Sequence, residues 1–161
     1  MPEFTIKHDS IVNVLMADVK IKNPAADNWS GFRSLWDTGA TNSVITKDVA
    51  MALGLKPVSM AVSSGVNGPA NVNVYLVDVL LPNGRMRARS LMVTEGISGG
   101  QWDILIGMDI ISNGDFCVSN FNGKTVFTFR APSKTTTDYE AEAAAATVVA
   151  AQDNPPAGTQ A

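Results

Sequence analysis

The chain has 161 residues, of which 45% are hydrophobic and 17% charged, and its formal net charge at pH 7 is −3. This length and composition predict one domain with a hydrophobic core, and the acidic excess argues against a nucleic-acid partner, which requires a basic surface. The single cysteine and single histidine exclude an internal disulfide and a zinc site of soft ligands, so we expect no metal and no cofactor.

The start of the chain lacks the features of a secretory signal. It has no basic residues followed by an apolar segment, and no apolar run in the chain approaches the ~20 residues that span a membrane. These features favour a soluble intracellular protein that has no membrane partner.

Two strands are predicted in the first part of the chain. Apolar and polar residues alternate over 11–22, and turn-forming residues at 23–28 separate this strand from a second one over 29–36. We expect the buried face of the first strand to carry Ile11, Leu15, Ala17, Val19 and Ile21. The two strands form a hairpin that ends at an aspartate.

This aspartate, Asp37, stands between two apolar runs and begins the segment Asp37-Thr38-Gly39-Ala40. A carboxylate among apolar residues is costly unless hydrogen bonds or a partner compensate it, so its position indicates chemistry. Thr38 offers a hydroxyl to a neighbouring backbone group, and Gly39 permits a tight turn and close approach from outside. The loop predicts a carboxylate presented to a substrate, while an ordinary turn between two strands remains the alternative.

A short helix and a long hairpin follow. Thr46 can cap a helix over 47–53 that ends at Gly54. Residues 58–79 form two strand-like arms around a turn in which Asn-Gly favours positive backbone angles. Another hairpin turn at 81–85 introduces the next strand.

A second apolar run covers residues 102–111 and contains Ile104-Leu105-Ile106-Gly107. It predicts a buried strand, with Leu105 at its buried centre, that leaves through a tight turn into a short helix. Asp103 and Asp109 flank the run without a Thr-Gly turn. We interpret them as helix-dipole partners or solvated ends and not as catalytic groups.

The last predicted strands cover 116–119 and 124–130. Beyond residue 130 the composition shifts to Ala, Thr and Pro, which cannot bury much surface, so we predict a folded domain over 1–130 and a disordered tail over 131–161. The spacing of the strand signals predicts an all-β fold, a small closed barrel-like lobe of about eight to ten strands with one or two short helices.

Asp37-Thr38-Gly39-Ala40 resembles the active-site loop of aspartic proteases, and Ile104-Leu105-Ile106-Gly107 resembles the strand that crosses this loop. Their separation fits the retropepsin-like, single-lobe members, although Met108 stands where many viral members carry Arg. The resemblance implies that Asp37 is catalytic and that Thr38, Gly39 and Ala40 support its loop. It further implies a second loop at Ile104, Leu105, Ile106 and Gly107, and a substrate-binding flap at Ser64, Gly65, Val66, Asn67 and Gly68.

One Asp-Thr-Gly loop supplies only one of the two carboxyl groups that acid-base hydrolysis of an amide requires. A two-fold homodimer would bring two copies of Asp37 together, and retropepsin-like enzymes act in this way on extended peptides. The sequence therefore predicts a homodimeric aspartic endopeptidase with a peptide or protein substrate. The alternative is a dimeric β-domain that acts as a scaffold or peptide-binding module and cleaves nothing.

Overall fold

The computed structural model describes residues 3–65 and 68–153, which contain ten strands, three α-helices and a 3-10 turn at Phe121–Gly123. The strands are β1 (Glu3–Lys7), β2 (Leu15–Lys22), β3 (Ser30–Trp36), β4 (Val44–Thr46), β5 (Ser59–Gly65), β6 (Gly68–Leu80), β7 (Arg87–Gly96), β8 (Ile104–Ile106), β9 (Asp115–Ser119) and β10 (Val126–Arg130). The helices are α1 (Lys47–Ala52), α2 (Met108–Ile111) and α3 (Tyr139–Asp153). None of the helices in this part of the chain is long and apolar enough to cross a membrane.

Seven strands form one sheet in the order β2-β3-β8-β4-β7-β6-β5, and a further pairing of β2 with β6 closes it. The pairs β3–β8 and β4–β7 are parallel, and the others are antiparallel. The remaining strands form a separate antiparallel sheet in the order β1-β10-β9. This closed all-β arrangement confirms the predicted fold class.

The β2–β3 hairpin forms as the alternation of side chains predicts. Ala17, Val19 and Ile21 are buried, and the polar residues between them are exposed. Ile11 is 60% exposed and precedes β2, so its predicted place on the buried face is wrong. The reason is that the backbone near Ile11 bonds to Thr125 instead: Thr125 N–H donates to the Ser10 carbonyl, and its Oγ1 accepts from Val12 N–H.

An aromatic cluster joins the two sheets directly behind Asp37. Trp36, the last residue of β3, packs against rings of the three-stranded sheet at centroid distances of 5.2 Å to Phe4, 5.7 Å to Phe116, 6.1 Å to Phe127 and 5.5 Å to Phe129. Its indole N–H donates to Ser34 Oγ at 3.1 Å, which satisfies the polar atom of a residue that is only 4% exposed. The strand that carries Asp37 is thereby anchored to the core.

The C-terminal segment has more structure than predicted. Residues Tyr139–Asp153 form α3, where the sequence predicted disorder, and the side chains over 139–147 are exposed. The high helix propensity of alanine accounts for a helix that has no buried side chain over 139–147. Before α3, the Asp115 carboxylate accepts hydrogen bonds from the Ser133 hydroxyl, Lys134 N–H and Arg130 Nε, and these bonds hold its pKa well below the ordinary value. The domain boundary at residue 130 stays a prediction.

Candidate active site

Asp37 directly follows β3, beside the end of the parallel strand β8. Its N–H donates to the Ile106 carbonyl at 3.0 Å, which continues the β3–β8 pairing into the loop. Carboxylate Oδ1 accepts a hydrogen bond of 2.8 Å from Gly39 N–H, and Oδ2 accepts none from the residues that the structure describes. The loop therefore fixes one carboxylate oxygen and leaves the other for a ligand.

Gly39 leaves room for this hydrogen bond. A Cβ at this position would lie 3.1 Å from Asp37 Oδ1, closer than ordinary van der Waals contact. Thr38, the residue between them, is exposed on the single chain, and Ala40 N–H donates to the Asp37 carbonyl at 3.3 Å. The three residues predicted to support the loop thus surround Asp37, with the Thr38 hydroxyl accessible to a partner.

Strand β8 lies between β3 and β4, parallel to the first and antiparallel to the second. The loop from Asp37 to Ser43 joins those two strands and passes close to Gly107, at the end of β8. A Cβ on Gly107 would lie 2.7 Å from the carbonyl of Asn42 and 2.9 Å from that of Ala40. The two segments that the sequence singled out are therefore in contact, although 64 or more positions separate them along the chain.

The prediction that Leu105 is buried at the centre of β8 is wrong. Ile104 and Ile106 are fully buried, whereas Leu105 is half-buried and lines a cleft beside Asp37. The reason is the alternation of side chains along a strand, which places the middle residue on the face opposite its two neighbours.

A buried hydrogen-bond network locks the two segments together. Ser43, which is fully buried, donates from Oγ to Asp109 Oδ1 at 2.7 Å and from its N–H to Asp109 Oδ2 at 2.9 Å. Ser43 Oγ also accepts from Gly107 N–H at 3.1 Å. Asp109 is thus a structural acceptor and not a solvated helix end. Sequence reasoning missed this role because a serine in a polar loop looks like an ordinary turn residue.

The Ser43 network provides a test of this arrangement. Ser43→Ala is expected to lower the free energy of unfolding by about 1–3 kcal/mol, because Gly107 N–H and the Asp109 carboxylate lose a buried partner. Ser119→Ala, at the exposed end of β9, is the matched control and should change it by less than about 0.5 kcal/mol. Urea denaturation measures both, and equal midpoints for the two variants would contradict the role of Ser43.

Asp103 is bonded to the backbone of β3. Its Oδ2 accepts a hydrogen bond from Arg33 N–H at 2.8 Å, and its own N–H donates to the Arg33 carbonyl at 2.9 Å. The flanking carboxylates of β8 are therefore both engaged with backbone groups.

The cleft beside Asp37 has a volume of about 870 Å³. The Asp37 loop, β4 and β8 contribute Asp37, Gly39, Ala40, Val44 and Leu105. The β5–β6 hairpin contributes Ser63, Gly68, Ala70 and Val72, and the rest of the lining is Lys47, Glu95, Gly96 and Ile97. The cleft is mostly apolar and borders the free Oδ2 of Asp37, a combination suited to binding a peptide with apolar side chains.

The predicted flap residues lie on this hairpin in part. Gly68 lines the cleft, and the register pairs Ser64 with Pro69 and Gly65 with Gly68. Val66 and Asn67 lie outside the described residues. Most other lining residues were not singled out from the sequence, because single apolar residues in strands carry no signal of the face they line.

The sequence was compared with models of protein families and with curated proteins. The family model described as aspartyl protease matches residues 18–110, more than half of the chain and a segment that includes the Asp37 loop and β8. No curated protein sequence matches the chain significantly.

Among solved structures, the chain is similar to a retropepsin-like aspartic protease from Rickettsia conorii, with a TM-score of 0.52 and 15% identity over 81% of this chain and 94% of that one. Simian foamy virus (mac) protease has a TM-score of 0.43 and 15% identity over 61% of this chain and 92% of its own. The retroviral protease-like domain of Ddi1 from Leishmania major has a TM-score of 0.41 and 20% identity over 71% of this chain and 95% of its own. The chain therefore shares its fold with the retropepsin-like protease from Rickettsia conorii, and the family match shows that it belongs to the aspartyl protease family.

Proposed function

We propose that the protein is an aspartic endopeptidase whose active form is a homodimer with one Asp37 from each subunit in a shared site. The observation that carries this proposal is the free Oδ2 of Asp37 in a cleft of about 870 Å³. Asp103 and Asp109 are bonded to backbone groups, and Glu95, the other carboxylate of the cleft lining, is bonded to Tyr75 and Asn73. The sequence contains one Asp-Thr-Gly loop, so in this proposal one chain offers one catalytic carboxyl group.

The second carboxyl group comes from the partner in this proposal. A two-fold axis beside Asp37 brings each copy next to its mate. Two carboxylates about 3 Å apart cannot both stay ionised, so the pair holds one proton between them. The exposed Thr38 of each chain lies beside this axis and is available to bond across it.

The reaction then follows from the two protonation states. The ionised Asp37 takes a proton from a water molecule, whose oxygen attacks the peptide carbonyl, while the protonated Asp37 gives its proton to the carbonyl oxygen. In the second step the Asp37 that took the proton from water gives it to the leaving nitrogen, and the other Asp37 takes a proton from a hydroxyl of the tetrahedral intermediate as the carbon–nitrogen bond breaks. The products are an acid and an amine, and the pair again holds one proton.

The substrate is an extended peptide with apolar side chains beside the cleaved bond. Val44, Val72, Leu105 and Ile97 supply apolar surface to the cleft. Burying such side chains from water supplies binding energy in proportion to their area. Cuts next to apolar residues are therefore expected in a denatured protein substrate.

Mixing of subunits tests the shared site. When wild-type chains exchange subunits with an equal amount of Asp37→Asn chains, random pairing leaves about a quarter of the dimers with two intact carboxyls, so activity per wild-type chain should fall to about half. Activity is measured on a peptide library after subunit exchange has reached equilibrium.

Dilution is a second test of the shared site. Activity per wild-type chain should fall when the concentration drops below the dimer dissociation constant, and it should recover on concentration. Activity per wild-type chain that is unchanged by both mixing and dilution would contradict a site shared between subunits.

A further inference from the structure

We use the term barrel for the seven-stranded sheet that the β2–β6 pairing closes. A hydrogen-bonded cluster lies where the β5–β6 hairpin joins the rest of this barrel. We use the term flap for β5 together with residues 68–73 of β6. Tyr75 Oη donates to Glu95 Oε2 at 2.6 Å, and Asn73 Nδ2 donates to the same oxygen at 3.2 Å and to Tyr75 Oη at 3.3 Å. The cluster thus links β6, which carries Asn73 and Tyr75, to Glu95 on β7.

The cluster sits at the last point where β6 is attached to the barrel. The pairing of β6 with β7 runs from Leu80 back to Val74, where Val74 pairs with Thr94. Residues 68–73 pair only with β5 among the described residues, from Gly68 opposite Gly65 to Asn73 opposite Met60. Met60 and Val62 of β5 are 66% and 67% exposed, so this face of the flap packs against little of the described chain.

The hydrogen bond to Glu95 satisfies the buried hydroxyl of Tyr75. Tyr75 is only 5% exposed, so its hydroxyl needs a partner inside the protein. Hydrogen bonds to an ionised carboxylate are roughly twice as strong as those between neutral groups. Burial raises the pKa of Tyr75, with a further contribution from its hydrogen bond to Glu95, so the hydroxyl remains a proton donor.

The cluster borders the substrate cleft through Glu95 and also acts on it through β6. Side chains alternate along a strand, so Val72 faces opposite to Asn73, and Val72 lines the cleft that holds Asp37. Fixing the Asn73 and Tyr75 side chains to β7 therefore fixes the orientation in which Val72 and Ala70 face the substrate.

We propose that Glu95 is a positioning residue for peptide hydrolysis: through Tyr75 and Asn73, its carboxylate sets the orientation of the flap over Asp37. This role rests on the proposed function. Because the flap binds substrate and Asp37 performs the chemistry, loss of Glu95 affects substrate binding more than the chemical step.

Steady-state kinetics test the role of Glu95. Glu95→Ala should raise KM about tenfold, as expected for the loss of one or two hydrogen bonds, and should change kcat by less than about twofold. Tyr75→Phe, which removes only the hydroxyl, should raise KM in the same direction. Glu95→Gln should restore part of the affinity, because its amide oxygen can accept both hydrogen bonds. The matched controls are Glu142→Gln and Tyr139→Phe on the exposed face of α3, which should leave KM and kcat unchanged.

Hydrogen exchange provides a second readout that does not require activity. In Glu95→Ala and Tyr75→Phe, backbone amides over 59–63 and 68–74 should exchange faster, whereas those of β2 and β3 should not. Tyr75→Phe provides this test even where Glu95→Ala fails to fold. An inactive wild-type protein would overturn the proposed function, whereas an active wild-type protein with unchanged KM and exchange in these variants would overturn only the role of Glu95.

Discussion

Asp37→Asn is expected to reduce peptide hydrolysis by at least roughly 10³-fold and to leave the fold intact. An amide can neither take the proton from water nor return it, and in a homodimer the substitution removes both carboxyl groups. The fold should survive because the Asn oxygen can still accept the hydrogen bond from Gly39 N–H that Oδ1 accepts at 2.8 Å. The measurement is cleavage of a denatured protein at mildly acidic pH, followed by mass spectrometry.

Asp18→Asn is the matched control for this prediction. Asp18 lies on β2 with its side chain exposed, so the same chemical change there should alter neither cleavage nor stability. An active-site inhibitor of the pepstatin type should slow cleavage by the wild-type protein and by this control alike. Full activity in Asp37→Asn would contradict the catalytic role of Asp37, whereas absence of cleavage by the wild-type protein would favour a peptide-binding or scaffold domain.

Gly107→Ala is expected to cost about 3 kcal/mol or more of the free energy of unfolding and to abolish activity with it. The added Cβ would lie 2.7 Å from the carbonyl carbon and oxygen of Asn42 and 2.9 Å from the Ala40 oxygen. These are backbone atoms of the loop that presents Asp37, so relief of the clash requires the loop to move away from β8. Urea denaturation measures the loss of stability, and peptide cleavage under folded conditions measures the loss of activity.

Gly31→Ala serves as the control for the loss of a glycine. Gly31 lies in β3, is exposed, and has no heavy atom within 4 Å of the position that a Cβ would occupy. This variant should be within about 0.5 kcal/mol of the wild type. A stability of Gly107→Ala equal to that of Gly31→Ala would show that β8 and the Asp37 loop do not pack as closely as described.

Helices and hairpins were predictable where the residues that determine them are close together in the sequence. The helix α1 begins after Thr46, whose Oγ1 accepts from Val49 N–H at 3.3 Å, and the chain leaves it through Gly54 at a φ of 59°. Turn residues between short alternating segments likewise predicted the β2–β3 and β5–β6 hairpins. In each case the residues that determine the element lie within a few positions of one another.

Other features depend on partners far along the chain. Strand β1 has five residues and no turn signal of its own, and it exists because Phe4 pairs with Phe129 of β10. The Ser43–Asp109 hydrogen bonds join positions 66 residues apart. No short window of sequence contains both partners, so neither feature was predicted.

The sequence by itself determined the type of most elements, with β1 and α3 as the exceptions, and singled out the Asp37 loop, because backbone conformation and alternation of side chains depend on near neighbours. Only the tertiary structure decided which residues complete the site. Leu105 lines the cleft, Ser43 and Asp109 hold the loop against β8, and Glu95 joins the flap to β7, since each of these roles depends on the packing of strands that are distant in sequence.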